Sequence, residues 1–266
     1  MIRHAAVAGQ FYSASCHEIK EQIEHFNRVL DKHIKDKTIL TKPARMIISP
    51  HAGYVYSGFT ANVAHRILSS SGAKRVVVIG PSHRVYVDGA SIALHDEYES
   101  PCGNLKMDAA YSRKLKEDYR LHFQEDAHHE HSTETQVPFL QHYLPNIEVC
   151  EIVYGDADFR SLSELIYEVL QDKTTVVVIS TDLSHFYNLE KANVLDNICL
   201  DAIATLDNDK MHSSPCEACG KTGVMAAIEA AKRLSLNVEL LDYRTSADVS
   251  RDEQSVVGYV SAVLGE

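Results

Sequence analysis

The stretch TTVVVISTDLSH, residues 174–185, contains an apolar run that ends in threonine, aspartate and histidine. A short run rich in β-branched residues, without alternating polar side chains, is typical of a strand that is buried on both faces. Two further runs have this form: RMIIS at 45–49 leads to His51, and RVVVIG at 75–80 leads to His83. Strands of this kind predict a parallel sheet that is covered by helices on both sides.

Strands and helices alternate along the rest of the chain. Strands are predicted at 45–49, 75–80, 89–94, 147–154, 174–181, 237–244 and 256–264. Helical periodicity is predicted at 17–30, 57–70, 108–119, 133–144, 158–171, 188–206 and 220–235. We therefore predict a single α/β domain over residues 1–266, with three layers (α/β/α) around a mixed, largely parallel sheet. Its last two strands are expected to form an antiparallel edge.

Composition excludes several classes of function. The formal net charge is −11 and the 26 Lys and Arg residues form no basic run, so we expect no nucleic-acid partner. No apolar run approaches the roughly 20 residues of a membrane span, so we expect no membrane partner either. The six cysteines are scattered, which is typical of free thiols in a reducing compartment. These features predict a soluble cytoplasmic protein.

Histidines follow the ends of three predicted strands. His51, His83 and His185 each lie within about five residues of a strand's carboxyl end, where sheets of this class bind their ligands. One such histidine is usually an ordinary loop residue, but three together favour a site. Neutral imidazoles are ligands for iron, zinc and copper, so His51 and His83 are predicted as two ligands of one metal ion.

Two residues stand out as candidates to complete this site. Cys219 lies in CEACGKTG, directly before an Ala-rich helix, where the helix dipole favours a metal-binding thiolate. The alternative is a small buried side chain without a role. Asp182 stands three residues before His185; it either orients an imidazole of the site or caps the next helix. The sequence leaves both pairs of interpretations open.

The segment EHSTETQ supplies two further candidates. Thr133 and Gln136 have the spacing of a capping box, which predicts that His131 projects from the loop just before a helix. Glu134 would then lie in the first turn, either in the pocket or as part of a solvated acidic helix start. His131 is the more difficult of the two to explain as a surface residue.

Three aromatic residues lie close to these motifs in the sequence, Phe11, Tyr54 and Tyr56. Aromatic side chains can wall a pocket for an aromatic ring or a tyrosyl group. The alternative is that they pack in the core, which is the more common place for such residues.

The motifs AVAGQFY, PHAGYVYSG, GPSH, EHSTE, STDLSHF and ACGKTGV, in this order, resemble the Memo family. YRTSAD and SVVGYVSAVL near the carboxyl terminus are similar to that family as well, so the resemblance covers nearly the whole chain. Members are found beside radical-SAM and AMMECR-type proteins in microbes, as protein B of the AmmeMemoRadiSam system. The resemblance therefore implies a functional link to those proteins.

The Memo family is similar in fold to class III extradiol dioxygenases, which hold ferrous iron with two histidines and a glutamate and use a further histidine as acid and base. The resemblance implies that His51 and His83 are metal ligands and that His185 is the acid and base. Cys219 stands where the dioxygenases have glutamate. A thiolate there favours copper or zinc more than a carboxylate does.

Three functions are compatible with these residues. The first is a mononuclear oxidoreductase that uses Fe(II) on a small aromatic diol, with His185, Asp182 and His131 as catalytic residues. The second is a module without turnover that binds copper or iron, or takes a phosphotyrosine peptide into the pocket. The third is a zinc hydrolase with Asp182 or Glu134 as the base.

Overall fold

The computed structural model describes residues 1–266 and contains two β-sheets. The strands, in chain order, are β1 (Ile2–Arg3), β2 (Ala44–Ser49), β3 (Arg75–Pro81), β4 (Ala90–Ile92), β5 (Glu97–Tyr98), β6 (Leu105–Lys106), β7 (Glu148–Tyr154), β8 (Thr175–Ser180), β9 (Asp182–Tyr187), β10 (Asn237–Thr245) and β11 (Val256–Gly265). The seven predicted strands are all present. The small second sheet, β1-β5-β6, joins the amino terminus to the segment after β4.

Helices connect most of the strands. In chain order they are α1 (Cys16–His33), α2 (Tyr54–Leu68), α3 (Ala109–Asp118), α4 (His131–Glu134), α5 (Val137–Tyr143), α6 (Phe159–Val169), α7 (Leu189–Ala204), α8 (Asn208–Ser213), α9 (Lys221–Leu234) and α10 (Ala247–Ser250), with 3-10 helices at Lys37–Thr41 and Glu125–His128. The predicted helix over 133–144 is two helices in the structure, α4 and α5, and it begins two residues earlier.

The main sheet has the order β10-β11-β2-β8-β3-β7-β4, and β9 also pairs with β11. The central strands β2, β8, β3 and β7 run parallel, whereas β10, β11, β9 and β4 pair antiparallel. The sheet is therefore mixed, as predicted, with β10 as its antiparallel edge. The parallel part is confined to the centre, because β11 pairs antiparallel with β2 on one side and β4 pairs antiparallel with β7 on the other.

Both faces of the main sheet are covered. Val77 and Ile79 of β3 pack with α6, α7 and α9 in one apolar cluster. Their neighbours Val76 and Val78 belong to a second cluster with α2 and α5 on the opposite face. Since successive residues of a strand point to opposite faces, this alternation confirms the three-layer α/β/α arrangement.

Four of the six cysteines are paired, so the prediction of six free thiols is wrong. Disulfides join Cys16 to Cys102 and Cys199 to Cys216, leaving Cys150 and Cys219 free. The partners are 86 and 17 residues apart, and only the folded chain brings them together. A cytoplasmic location, which was inferred partly from free thiols, stays a prediction. None of the helices has the length and apolar character needed to cross a membrane.

Candidate metal centre

Three histidine side chains meet at the carboxyl edge of the parallel strands. His51 lies two residues after β2, His83 two residues after β3, and His131 is the first residue of α4. The ring centroids are 5.1 Å apart for His51 and His83, 5.3 Å for His51 and His131, and 4.6 Å for His83 and His131. One ring nitrogen from each lies within 4.8 Å of the other two, so the three could hold one metal ion.

Glu130 binds two of these rings through one carboxylate. Its Oε1 atom accepts from Nδ1 of His83 at 3.1 Å and from Nδ1 of His131 at 2.9 Å, and its Oε2 atom accepts from the His83 amide at 2.6 Å. Burial raises the pKa of Glu130, but the hydrogen bonds from His131 and His83 outweigh it and hold the pKa well below its usual value. A carboxylate only accepts, so each ring presents a protonated Nδ1 to it, and in the neutral tautomer of this kind Nε2 is the nitrogen that can bind a metal.

The tautomer of His51 is fixed by a hydroxyl group. Ser180 Oγ donates to the Ser132 carbonyl oxygen at 2.5 Å and accepts from Gln136 Nε2 at 3.1 Å. Its single proton is thus used, so His51 Nδ1, which lies 2.8 Å away, must donate to it. His51 therefore carries no proton on Nε2, the nitrogen that accepts from the Cys219 thiol at 3.3 Å.

His51 lies between Cys219 and Asp182. Its Nε2 atom is 3.3 Å from Cys219 Sγ and 3.8 Å from Asp182 Oδ2, and its amide donates to Asp182 Oδ1 at 2.8 Å. Burial, together with the positive charges that His83 and His131 carry when they are protonated, lowers the pKa of His51 well below its usual value. The imidazole is therefore neutral, which is the form that binds a metal.

Cys219 lies beside His51, with its Sγ atom 3.3 Å from His51 Nε2. Burial and the neighbouring Asp182 raise the pKa of Cys219 to about 12, so without a metal burial outweighs the dipole of α9. Its role as a metal ligand stays a prediction. A Cβ on Gly220 would lie 2.6 Å from the Ser180 carbonyl oxygen, so a glycine is needed for this loop to approach the strand end.

Asp182 and His185 both lie on β9. The helix-cap interpretation of Asp182 is wrong, since α7 begins at Leu189 and is capped by Asn188. Asp182 instead contacts His51, in agreement with an orienting role, and burial raises the pKa of its carboxyl group. His185 is half-buried and lies outside the group of three, although its charge acts on both His51 and Asp182.

The capping box predicted for the helix after His131 is absent. Glu130, not Thr133, is the N-cap of α4, because its side chain accepts from the Ser132 amide at 3.0 Å. Gln136 does not reach back to a cap either; it donates to the Pro50 carbonyl oxygen at 3.0 Å. As a result His131 is in the helix, with its ring turned towards His51 and His83.

Glu134 has surroundings different from those expected of a pocket residue. It is fully buried and accepts hydrogen bonds from the amides of Ala6 at 2.8 Å and Val7 at 2.9 Å, and from Tyr12 Oη at 2.9 Å. It also forms an ion pair with the buried Arg3. These contacts use the carboxylate to fasten the amino-terminal segment, so little of it is free to act as a base.

The three aromatic candidates have three different positions. Phe11 is half-buried, with its ring 4.7 Å from the His131 ring. Tyr54 is buried, stacks on Phe139 at 4.6 Å and so belongs to the core. Tyr56 is 44% exposed. Phe11 is thus the aromatic side chain in direct contact with the histidines.

The donor set fits a transition metal. Three imidazoles, with a cysteine sulfur beside one of them, suit iron, zinc or copper and do not suit magnesium or calcium, which prefer oxygen ligands. Sequence reasoning identified His51 and His83 as ligands, and placed His131 among the catalytic residues. The cluster HHEH, residues 128–131, was also a candidate source of a third ligand, but nothing in the sequence assigned the contacts of Glu130 or of Ser180.

The fold and the three histidines define an α/β protein with a candidate metal centre at the carboxyl edge of its sheet. Comparison with known families gives the same grouping, since the model of the Memo family, described as Memo-like protein, matches residues 3–263. The chain belongs to the Memo family. A MEMO1 family protein of Sulfolobus acidocaldarius is 34% identical over 100% of both chains, and one of Archaeoglobus fulgidus is 31% identical over 99% of both.

Proposed function

We propose that the protein binds one divalent transition metal at His51, His83 and His131, and that this metal is Fe(II). We further propose that the iron-loaded protein acts as an oxidoreductase on a small aromatic diol. The observation that carries the proposal is the convergence of three imidazoles, one ring nitrogen of each lying within 4.8 Å of the other two. Bound iron would supply redox chemistry with O₂ and a positive charge for the diol oxygens. The resemblance to class III extradiol dioxygenases supports this choice.

The chain supplies its own groups for proton transfer. Burial raises the pKa of Asp182, so this carboxyl group can hold a proton in reach of the pocket. His185 is half-buried on the same strand, in a position to exchange protons with solvent. Phe11 covers one side of His131 and shields it from water. We assign proton transfer to Asp182 and His185 on these grounds.

A second candidate function is binding of copper or iron without turnover. The thiol of Cys219, 3.3 Å from His51 Nε2, favours it, because a soft sulfur donor suits Cu(I). Cys219 would then replace His131 as third ligand. Titration with Co(II) separates the two ligand sets: a thiolate-to-metal charge-transfer band that is lost in Cys219→Ser indicates sulfur ligation, and its absence in the wild type indicates the three histidines.

Metal binding itself is tested with protein purified without oxygen. We expect one equivalent of iron per chain after Fe(II) reconstitution, measured by elemental analysis after desalting, and loss of it in His51→Ala. His142→Ala is the control, since His142 is half-buried outside the cluster with its Nε2 atom 3.5 Å from Glu24. Equal metal content in wild type and His51→Ala would refute the proposed site.

Turnover is tested separately. Iron-loaded protein is mixed with a panel of catechols and other diols in an oxygen electrode, and we expect O₂ uptake above that of the iron alone. If the protein holds iron but no diol increases uptake, the non-catalytic function is the correct one. A phosphotyrosine peptide in place of the diol, followed by calorimetry, tests whether the pocket takes a peptide.

The proposal includes a functional link to radical-SAM and AMMECR-type proteins, which rests on the resemblance to the Memo family. We expect the metal content of the chain to change when it is co-expressed with both. Identical metal content and no co-purification would count against the link.

A further inference from the structure

We propose that Glu130 is a positioning residue of the metal centre, a single buried carboxylate that orients two metal-binding imidazoles at once. The inference rests on the proposed metal binding at His51, His83 and His131. It assigns a specific task to a residue that contacts two of these ligands but not the metal ion itself. It follows from the geometry around the carboxylate, from its lack of a cationic partner, and from comparison with a second buried carboxylate in the same fold.

The geometry couples two rings to one oxygen. Both Nδ1 atoms, of His83 and of His131, donate to Oε1 of Glu130, and the two rings lie 36° apart in plane. The carboxylate is itself held by the amides of His83 and Ser132 at 2.6 and 3.0 Å. Neither ring can rotate about χ2 without losing its bond to this fixed group, so both Nε2 atoms keep their direction.

The charge of Glu130 has no cationic side chain to balance it. The carboxylate is fully buried, and its ion-pair contacts are the two histidines, which are neutral in their metal-binding form. Arg3 comes near, but it donates to the carbonyl oxygen of Glu130 at 3.0 Å and pairs with Glu134. A buried carboxylate costs free energy unless a positive charge lies near it. A divalent cation on the Nε2 side of both rings supplies that charge.

Glu151 shows what a structural pair looks like in this fold. It is also fully buried and accepts from Nδ1 of a histidine, His128, at 3.0 Å. Here, however, Arg3 lies 3.8 Å away, and the second ring nitrogen of His128 is bound to Ser91 Oγ at 2.9 Å. Both nitrogens of His128 are used and a buried guanidinium, which Glu151 shares with Glu134, lies near the carboxylate, so this pair offers nothing to a metal. Glu130 differs from it in both respects.

The experiment compares Glu130→Gln with Glu151→Gln in the full chain. Each change replaces a buried carboxylate that contacts an imidazole Nδ1 by an amide, and the side chain keeps nearly the same size and shape. Anaerobic Co(II) titration is followed by absorption, and we expect Glu130→Gln to weaken binding about 10- to 100-fold and to alter the ligand-field spectrum. Glu151→Gln is expected to bind Co(II) within about twofold of the wild type, even if thermal unfolding shows it to be less stable.

Nitrogen NMR of the imidazoles gives a reading that does not depend on metal. In the metal-free wild type we expect His83 and His131 to be Nδ1-protonated, and in Glu130→Gln to show a mixture of tautomers. Wild-type rings in the other tautomer would overturn the proposal, as would a Glu130→Gln protein with the affinity and spectrum of the wild type. If the wild type bound no metal, the proposed function would fail instead. If Glu130→Gln does not fold, the tautomers of His83 and His131 in the wild type test the proposal: protonation on Nδ1 supports it, and the other tautomer contradicts it.

Discussion

Replacing Ser180 by alanine tests the reasoning on His51, the one ring that Glu130 does not hold. In the wild type the hydroxyl donates to the Ser132 carbonyl oxygen and accepts from Gln136 and from His51 Nδ1. Without it, the Ser132 carbonyl oxygen and the His51 Nδ1–H lose a buried partner. Gln136 still donates to the Pro50 carbonyl oxygen.

The expected cost follows from these two lost bonds. Leaving a buried group without its hydrogen bond costs at least about 1 kcal/mol, so Ser180→Ala, which leaves two such groups, should lower the free energy of unfolding by about 2 kcal/mol or more. A domain of this kind is stable by roughly 5–15 kcal/mol and should remain folded. Since nothing then fixes the tautomer of His51, we expect metal affinity to fall about tenfold or more.

Urea unfolding of the metal-free protein measures the first quantity, and anaerobic Co(II) titration measures the second. Ser163→Ala is the matched control, because Ser163 is buried on α6 and its hydroxyl has no hydrogen-bond partner. We expect that variant to keep both stability and affinity. If Ser180→Ala binds Co(II) as the wild type does, while His51→Ala does not bind it, the hydroxyl does not orient His51.

Three further predictions concern stability and the cysteines. Burial lowers the pKa of His65 to about 4, so at pH 5 this side chain is protonated in the unfolded chain but not in the native chain. The free energy of unfolding should therefore fall by about 2 kcal/mol from pH 7 to pH 5, and by less in His65→Gln. Equal urea profiles would contradict this. Gly258→Ala should lower the free energy of unfolding in urea by about 3 kcal/mol, because the added Cβ would lie 2.0 Å from the buried Asp196 Oδ2. Wild-type stability of this variant would show that the Asp196 side chain can move away at no cost. Alkylation of the denatured chain without reductant should label the two free cysteines, Cys150 and Cys219, and with reductant all six; six labels in both would exclude the disulfides.

The long strands could be predicted from the sequence because burial on both faces leaves a direct mark in it. Every residue of β2 and β8 is buried, and each strand contains an uninterrupted apolar run, MII in β2 and VVVI in β8. β9 has no such mark: DLSHFY mixes polar and apolar residues, and it is recognisable as a strand only through its pairing with β11. The break between α4 and α5 was not predicted for a similar reason. The side chain of Gln136, the residue before α5, donates to the carbonyl oxygen of Pro50, which is distant in the sequence.

The site could be predicted in part for the same reason. His51 and His83 lie at a fixed distance from strand ends, and the parallel centre of the sheet brings those ends together. Glu130 and Ser180 act through contacts across 47 and 129 residues, which no local pattern reveals. The protonation of Cys219 also depended on burial, a property of the folded chain.

The three histidines are held in two different ways, and this makes the centre asymmetric. His83 and His131 share an anionic carboxylate, which fixes them as a pair. His51 is held by a neutral hydroxyl and lies against Cys219 and Asp182. The two proposed ligand sets differ on both sides of this asymmetric centre. In the set with sulfur, Cys219 joins the site beside His51, and His131 leaves the pair of rings that Glu130 contacts.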